Sequence, residues 1–154
     1  MGLILAVNLR GKINSQSGVR KTLGELKLER KFTATVVTDD APTVGMLRSC
    51  KDFIAWSQVD KDLLSALLEK RGMVSESKRL DAPALSKLGF KTYGDMEAKI
   101  LSEGNNLSTV SGIRPFFRLS PPRGGFKFPT RRQASERGSL GSNPKLPDIV
   151  RRML

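Results

Sequence analysis

The chain has 154 residues, with 27 lysines and arginines against 15 aspartates and glutamates, for a net charge of +12. It has no histidine and a single cysteine, Cys50, which excludes His-based triads, His general bases, His metal sites, intrachain disulfides and thiolate zinc clusters. The longest clean apolar run, Leu3–Val7, is too short for a bilayer span or a signal-peptide core, so the expectation is a soluble, intracellular, basic chain whose natural partner is a polyanion.

Leu3-Ile-Leu-Ala-Val-Asn-Leu9 reads as a strand ended by Arg10-Gly11. A polar loop follows, with Ser15 and Ser17 as candidate helix caps. Val19, Leu23 and Leu26 recur at helical spacing, which predicts an amphipathic helix over Gly18–Leu28. Phe32-Thr-Ala-Thr-Val-Val-Thr38 is β-branched and reads as a second strand. Asp39-Asp40-Ala41-Pro42 is a helix start, and Val44, Leu47 and Cys50 carry its apolar face to about Lys51. Phe53–Val59 extends that helix or forms a third strand; Asp52 and the aromatic residues favour the strand.

Asp60 opens a further helix with Leu63, Leu64, Leu67 and Leu68 on one face and Gly72 as its stop. Asp81 and Pro83 start a short helix through Leu88. Thr92-x-x-Asp95 resembles a capping box ahead of a last helix that carries Met96, Ile100 and Leu101 and stops at Gly104.

Charge is uneven along this order. Residues 104–154 hold 10 basic and 2 acidic residues, a net of +8, whereas residues 1–103 carry a net of +4. The cation type also changes, from 11 Lys and 6 Arg before residue 104 to 2 Lys and 8 Arg after it. Arginine is the better residue for bidentate phosphate contacts and for stacking on bases. The same stretch holds 6 Gly, 6 Pro and 6 Ser, which predicts an extended basic arm with a short terminal helix at Arg151-Arg152. The organisation expected is residues 1–60 as a β-α-β-α-β core, 61–104 as a helical extension and 105–154 as the arm, with residues 1–104 folding without it.

Two segments carry candidate chemistry. The loop from Arg10 to Lys21 sets Arg10, Lys12, Arg20 and Lys21 around a predicted helix N-terminus, with Asn14 and Ser17 as polar neighbours. Such a terminus favours a phosphate, although an ordinary solvated loop explains the same residues. In Ile113–Pro129, Phe116, Phe117, Phe126 and Phe128 interleave with Arg114, Arg118, Arg123 and Lys127 around Gly124 and Gly125. Aromatics beside cations suit RNA, where rings stack on unpaired bases, and equally suit anchoring of the arm onto the protein's own core. Arg48, Arg131, Arg132 and Arg137 complete the candidate set. Asp39-Asp40 is read as a helix cap rather than an acid–base pair, and Cys50 as a buried inert thiol. No cofactor, metal or small-molecule substrate is expected.

Several stretches resemble a known family. Leu3-Ile-Leu-Ala-Val-Asn-Leu, Val19-Arg-Lys-Thr-Leu, Gly45-Met-Leu-Arg and Phe53-Ile-Ala-Trp resemble the short bacterial form of the L-thirty family of large-subunit ribosomal proteins, called L-seven in eukaryotes. Leu67-Leu-Glu-Lys-Arg-Gly, Thr92-Tyr-Gly-Asp-Met-Glu, Phe117-Arg-Leu-Ser-Pro-Pro-Arg-Gly-Gly and Ile149-Val-Arg-Arg-Met resemble the longer archaeal and eukaryotic forms, and the Ser-Pro-Pro-Arg-Gly-Gly portion is the most specific marker. The missing basic N-terminal extension of the eukaryotic form points to an archaeal source. The resemblance implies an α+β fold with a three-stranded antiparallel sheet and two helices on one face. It also implies a non-enzymatic component of the cytoplasmic large subunit that binds and stabilises rRNA, near 5S rRNA and beside neighbouring ribosomal proteins. On this resemblance the rRNA-facing loop and first helix fall on Arg10–Lys21, and the extended basic segment on Arg114–Arg137. Two rivals stand beside it: a chromatin-like nucleic-acid binder, which no helix-turn-helix or zinc pattern supports, and an enzyme or small-molecule regulatory domain of similar β-α-β topology, where the absence of histidine and of a phosphate-binding glycine loop argues against catalysis.

Overall fold

The computed structural model describes residues 2–103, 107, 110 and 112–154. The expected helix stop at Gly104 lies outside the described residues. The chain runs β1 (Leu3–Asn8), α1 (Ser17–Glu25), β2 (Thr33–Thr38), α2 (Ala41–Ser49), β3 (Ile54–Gln58), α3 (Lys61–Arg71), α4 (Ala82–Lys87), α5 (Tyr93–Glu103), β4 (Phe117–Arg118), β5 (Gly141–Ser142) and α6 (Leu146–Met153). The class is α+β, as expected.

The sheet has five strands rather than three, in the order β4-β2-β1-β3-β5. The three predicted strands form its antiparallel centre, with Leu5 opposite both Val36 and Ser57. The two additions come from the segment expected as an arm. β4 pairs antiparallel with β2, Thr33 opposite Arg118, and β5 pairs parallel with β3, Ala55 opposite Gly141. Each is two residues long and lies along an edge of the three-stranded centre, where backbone N–H and C=O groups were otherwise unpaired.

Side chains of a strand alternate between faces, and β1 is buried on both. Ile4 and Ala6 pack with Leu23 and Leu26 from α1 and its end, Leu47 of α2, and Cys50. This is the face with two helices that the resemblance implied. Leu3, Leu5, Val7 and Leu9 point to the opposite face, into a larger core with α3, α4, α5 and α6. Phe117, Leu140, Leu146, Ile149, Val150 and Met153 belong to that core, so the basic C-terminal segment is folded against the sheet instead of extending from it.

Local chemistry explains most element ends. Asp40, Asp60 and Asp81 stand at N-cap positions of α2, α3 and α4. The Asp40 carboxylate accepts from the Thr43 hydroxyl at 3.2 Å rather than from a backbone amide. The Thr92–Asp95 capping box forms in both directions: Thr92 N–H donates to Asp95 at 3.0 Å, and Asp95 N–H to Thr92 at 3.2 Å. Neither serine caps α1. Gln16 holds the N-cap position without a side-chain bond. Ser15 instead donates to the Lys12 carbonyl and accepts from Arg20 Nε, which closes the loop on itself. The helix ends at Glu25, three residues before the expected limit, because Lys27 takes a left-handed φ of 60° and Leu28 N–H turns back to the Leu23 carbonyl.

Candidate nucleic-acid interface

The topology collects loops at one end of the sheet. β1 finishes there, and antiparallel pairing makes β2 and β3 begin there. Pairing of Arg118 with Thr33 brings the end of β4 to the same place, and parallel pairing of β5 with β3 brings in the chain that precedes Gly141. Three basic stretches that are remote in sequence therefore converge: residues 10–12, 118–127 and 131–137.

Asn8 organises the first of these. It is fully buried, its Nδ2 donates to the Leu28 carbonyl at 2.6 Å, and its Oδ1 accepts from the amides of Arg10 at 3.0 Å and Gly11 at 2.7 Å. Arg10 is thereby set over the Phe53 ring at 5.1 Å, with Nη1 donating to the Asp52 carbonyl at 2.9 Å. Lys12 pairs with Glu29 at 3.2 Å, both groups about half exposed, a geometry that contributes little to stability. Asn14, Ser17, Arg20 and Lys21 are exposed around the start of α1, and Asn14 takes a left-handed φ of 60°. No side chain caps α1 and no acid lies in its first turn, so its leading amides face an electropositive loop. Val19 is held near this end by the Cys50 thiol, 3.9 Å from its carbonyl. Arg48 is exposed in the last turn of α2.

The second stretch is a tight turn after β4. Gly125 N–H donates to the Pro122 carbonyl at 3.0 Å, and Gly124 and Gly125 hold φ of 78° and 72°. A side chain at either would meet open space, so glycine is required there by backbone conformation. Arg152 Nη1 donates to the carbonyls of Gly125 at 2.9 Å and Arg123 at 3.3 Å, tying the turn to α6. Arg118, Arg123 and Lys127 are exposed around it. Phe126 stacks on Phe32 at 6.2 Å and Phe117 is fully buried, so these two aromatics anchor the segment to the protein.

The third stretch, Arg131–Arg137, is docked by Gln133. Its Nε2 donates to the Lys51 carbonyl at 3.1 Å and to Asp52 at 3.0 Å, the residue whose carbonyl Arg10 also reaches. A Cβ at position 138 would collide with the Arg132 carbonyl, so Gly138 permits the close return that turns Arg131, Arg132 and Arg137 outward. Among the described residues these three arginines make no side-chain hydrogen bond or ion pair.

Arg114 is the exception in the candidate set. Its guanidinium stacks over Phe116 at 5.1 Å and pairs with Glu76 at 3.0 Å, and its side chain is 23% exposed. It lies on the wall of a separate hollow of about 250 Å³ shared with Lys70, Arg71, Arg79 and Arg118. Of these, sequence reasoning missed Lys70, Arg71 and Arg79, because they lie among acids along the chain. It also missed Lys27, Arg30 and Lys31, exposed between α1 and β2, which the short run Arg30-Lys31 could have signalled.

No group of three or more His, Cys, Asp and Glu side chains is placed to hold a metal among the described residues. Burial pushes the Cys50 thiol up from its ordinary value, which keeps it protonated and unreactive near neutral pH. No helix among the described residues is long and apolar enough to cross a membrane. The interface offers guanidinium and ammonium groups, backbone amides and glycine turns, groups whose chemistry suits contact with phosphates.

A family profile described as Ribosomal protein L30p/L7e matches residues 5–54, which span β1 to the start of β3. Over the full length the chain resembles proteins named Large ribosomal subunit protein uL30. The one from Thermofilum pendens is 35% identical, with all of both chains covered. That from Korarchaeum cryptofilum is 36% identical over 99% of this chain and 95% of its own, and that from Staphylothermus marinus 37% identical over 99% and 98%. Identity at this level along the whole length, β4, β5 and α6 included, establishes that the chain belongs to the uL30 family of large ribosomal subunit proteins.

Proposed function

We propose that the chain is a structural, non-catalytic component of the cytoplasmic large ribosomal subunit that binds and stabilises rRNA through the basic end of its sheet. One observation carries the reading: three basic stretches far apart in sequence are brought to one end of the sheet with few acids to balance them. Phosphate contacts of this kind act by counterion release, and many modest contacts add to a tight, salt-dependent hold. On this reading Arg10, Lys12, Asn14, Ser17, Arg20, Lys21, Arg48, Arg118, Arg123, Gly124, Gly125, Lys127, Arg131, Arg132 and Arg137 face RNA. Arg114 joins them through its own hollow if Glu76, exposed on the partner side of the pair, yields it to a phosphate. The resemblance of the Arg10–Lys21 and Arg114–Arg137 segments to the family's rRNA-facing segments supports a position near 5S rRNA and beside other ribosomal proteins. The test is sedimentation of a tagged copy from its native cell. Cofractionation with the large subunit through a high-salt wash is expected, with cross-links to large-subunit rRNA. A tagged copy that stays at the top of the gradient, or that follows DNA, would overturn the proposal.

A further inference from the structure

A hollow of about 500 Å³ lies between the loop Lys127–Ser139 and α6. Such a volume falls in the range of small-ligand sites. Its floor carries Phe128, one of two exposed large apolar side chains among the described residues, at 38% exposure. Phe128 belongs to neither hydrophobic core, in contrast to Phe117 and Phe126. Its ring is thus partly open to solvent rather than sealed in either core.

The surroundings are cationic. Lys127, Arg137, Lys145 and Arg152 line the hollow, with Asp148 as the acid on its wall. Arg137 is presented from a left-handed φ of 58°, a conformation costly to a residue with a side chain, and Gly138 beside it has no room for a Cβ. The backbone is thus locked where the cation is displayed. Lys145 Nζ sits over the Phe128 ring at 5.1 Å, so a cation covers a π-face.

We propose that this hollow takes one unpaired RNA nucleotide, its base stacked on Phe128 and its phosphate held by Arg137 and Lys127. The inference rests on the rRNA-binding reading above and adds to it a base contact, distinct from phosphate neutralisation. RNA is read chiefly at unpaired, splayed nucleotides, which stack on aromatic rings beside cations. On stacking, Lys145 swings from the ring face toward a phosphate. Asp148 disfavours a phosphate at its own side of the hollow and accepts from an exocyclic amine on the base.

The experiment uses the full-length chain and large-subunit rRNA from the same cell. Ultraviolet cross-linking of the wild-type complex, followed by nuclease digestion and mass spectrometry, should leave a nucleotide on Phe128 or its immediate neighbours. Phe128→Leu keeps the apolar bulk and removes the ring; rRNA affinity should fall about 5- to 150-fold, the range of one lost base stack. The slope of log affinity against log salt should stay as it is, because stacking releases no counterion. Arg137→Gln should instead make that slope shallower by about 0.7–0.9, the value of one phosphate. Wild-type binding with no cross-link near Phe128 overturns the proposal. So does a Phe128→Leu protein that melts and binds like wild type, and so does saturable micromolar binding of free adenosine monophosphate, which would assign the hollow to a mononucleotide. The wild-type cross-link stands even if a variant misfolds. Absence of any rRNA binding by the wild type would overturn the proposed function instead.

Discussion

A chain cut after Gly112 keeps β1, β2, β3 and the five helices from α1 to α5, and it separates an appended arm from a structural one. The cut removes eight buried apolar residues: Ile113, Phe117, Leu119, Leu140, Leu146, Ile149, Val150 and Met153. Burial of a side chain of this size contributes about 1.5–3 kcal/mol, so the gross loss is about 12–24 kcal/mol. Part of it is offset because the missing residues no longer have to be ordered. The remainder falls on the face left behind, where Leu5, Val7, Ala34 and Leu64 lose their cover and both sheet edges lose their partners. Net stability of a domain is about 5–15 kcal/mol, so losing even a third of the gross term approaches the whole of it. Circular dichroism of residues 1–112 should show a broad, non-cooperative melt, with binding of a hydrophobic dye. In the full chain, hydrogen exchange should protect the β4 and β5 amides that pair with the sheet as well as those of β1. A cooperative melt of the fragment within a few degrees of the full chain would refute this reasoning and restore the expectation that residues 1–104 fold alone.

Replacing Arg131, Arg132 and Arg137 together with Gln should leave the melting temperature in place, since all three are exposed and without partners among the described residues, and should make the salt slope of rRNA binding shallower by about 2–3. Filter binding across a salt series reads both affinity and slope, and an unchanged slope would place the phosphates elsewhere. Asn8→Ala should strand the Leu28 carbonyl and the Arg10 and Gly11 amides, at about 3 kcal/mol or more, lowering the melting temperature by about 6–12 °C; a drop below 2 °C would mean that water replaces the side chain. Stability should decline as pH rises above about 8.5, because burial raises the Cys50 thiol. Burial with Asp81 and Glu69 does the same to the Tyr93 hydroxyl at higher pH. In each case the unfolded chain loses its proton first, so the unfolded state gains. Denaturant melts at pH 7 and 10 check this, and replacing Cys50 with Ala should remove the lower-pH part.

Local patterning was enough for β1, β2, β3, the start of α3 and the Thr92–Asp95 box, because each depends on residues within a few positions of one another. The Leu63, Leu64, Leu67 and Leu68 face of α3 was legible for the same reason. The cationic character of the interface was also written in composition, from Arg10 to Arg137. Tertiary structure alone decided the rest. β4 and β5 are two residues each, in a stretch rich in Gly and Pro with no period to read, and they are strands only because the edges of β2 and β3 offer unpaired backbone groups. The close return at Gly138 sets its Cα against the Arg132 carbonyl, and Phe128 lines a hollow that only the fold creates. Convergence of Arg10, Arg118 and Arg131–Arg137 at one end of the sheet follows from strand direction and order, which no short segment encodes. Sequence spacing determines which cations exist; sheet topology determines that they act together.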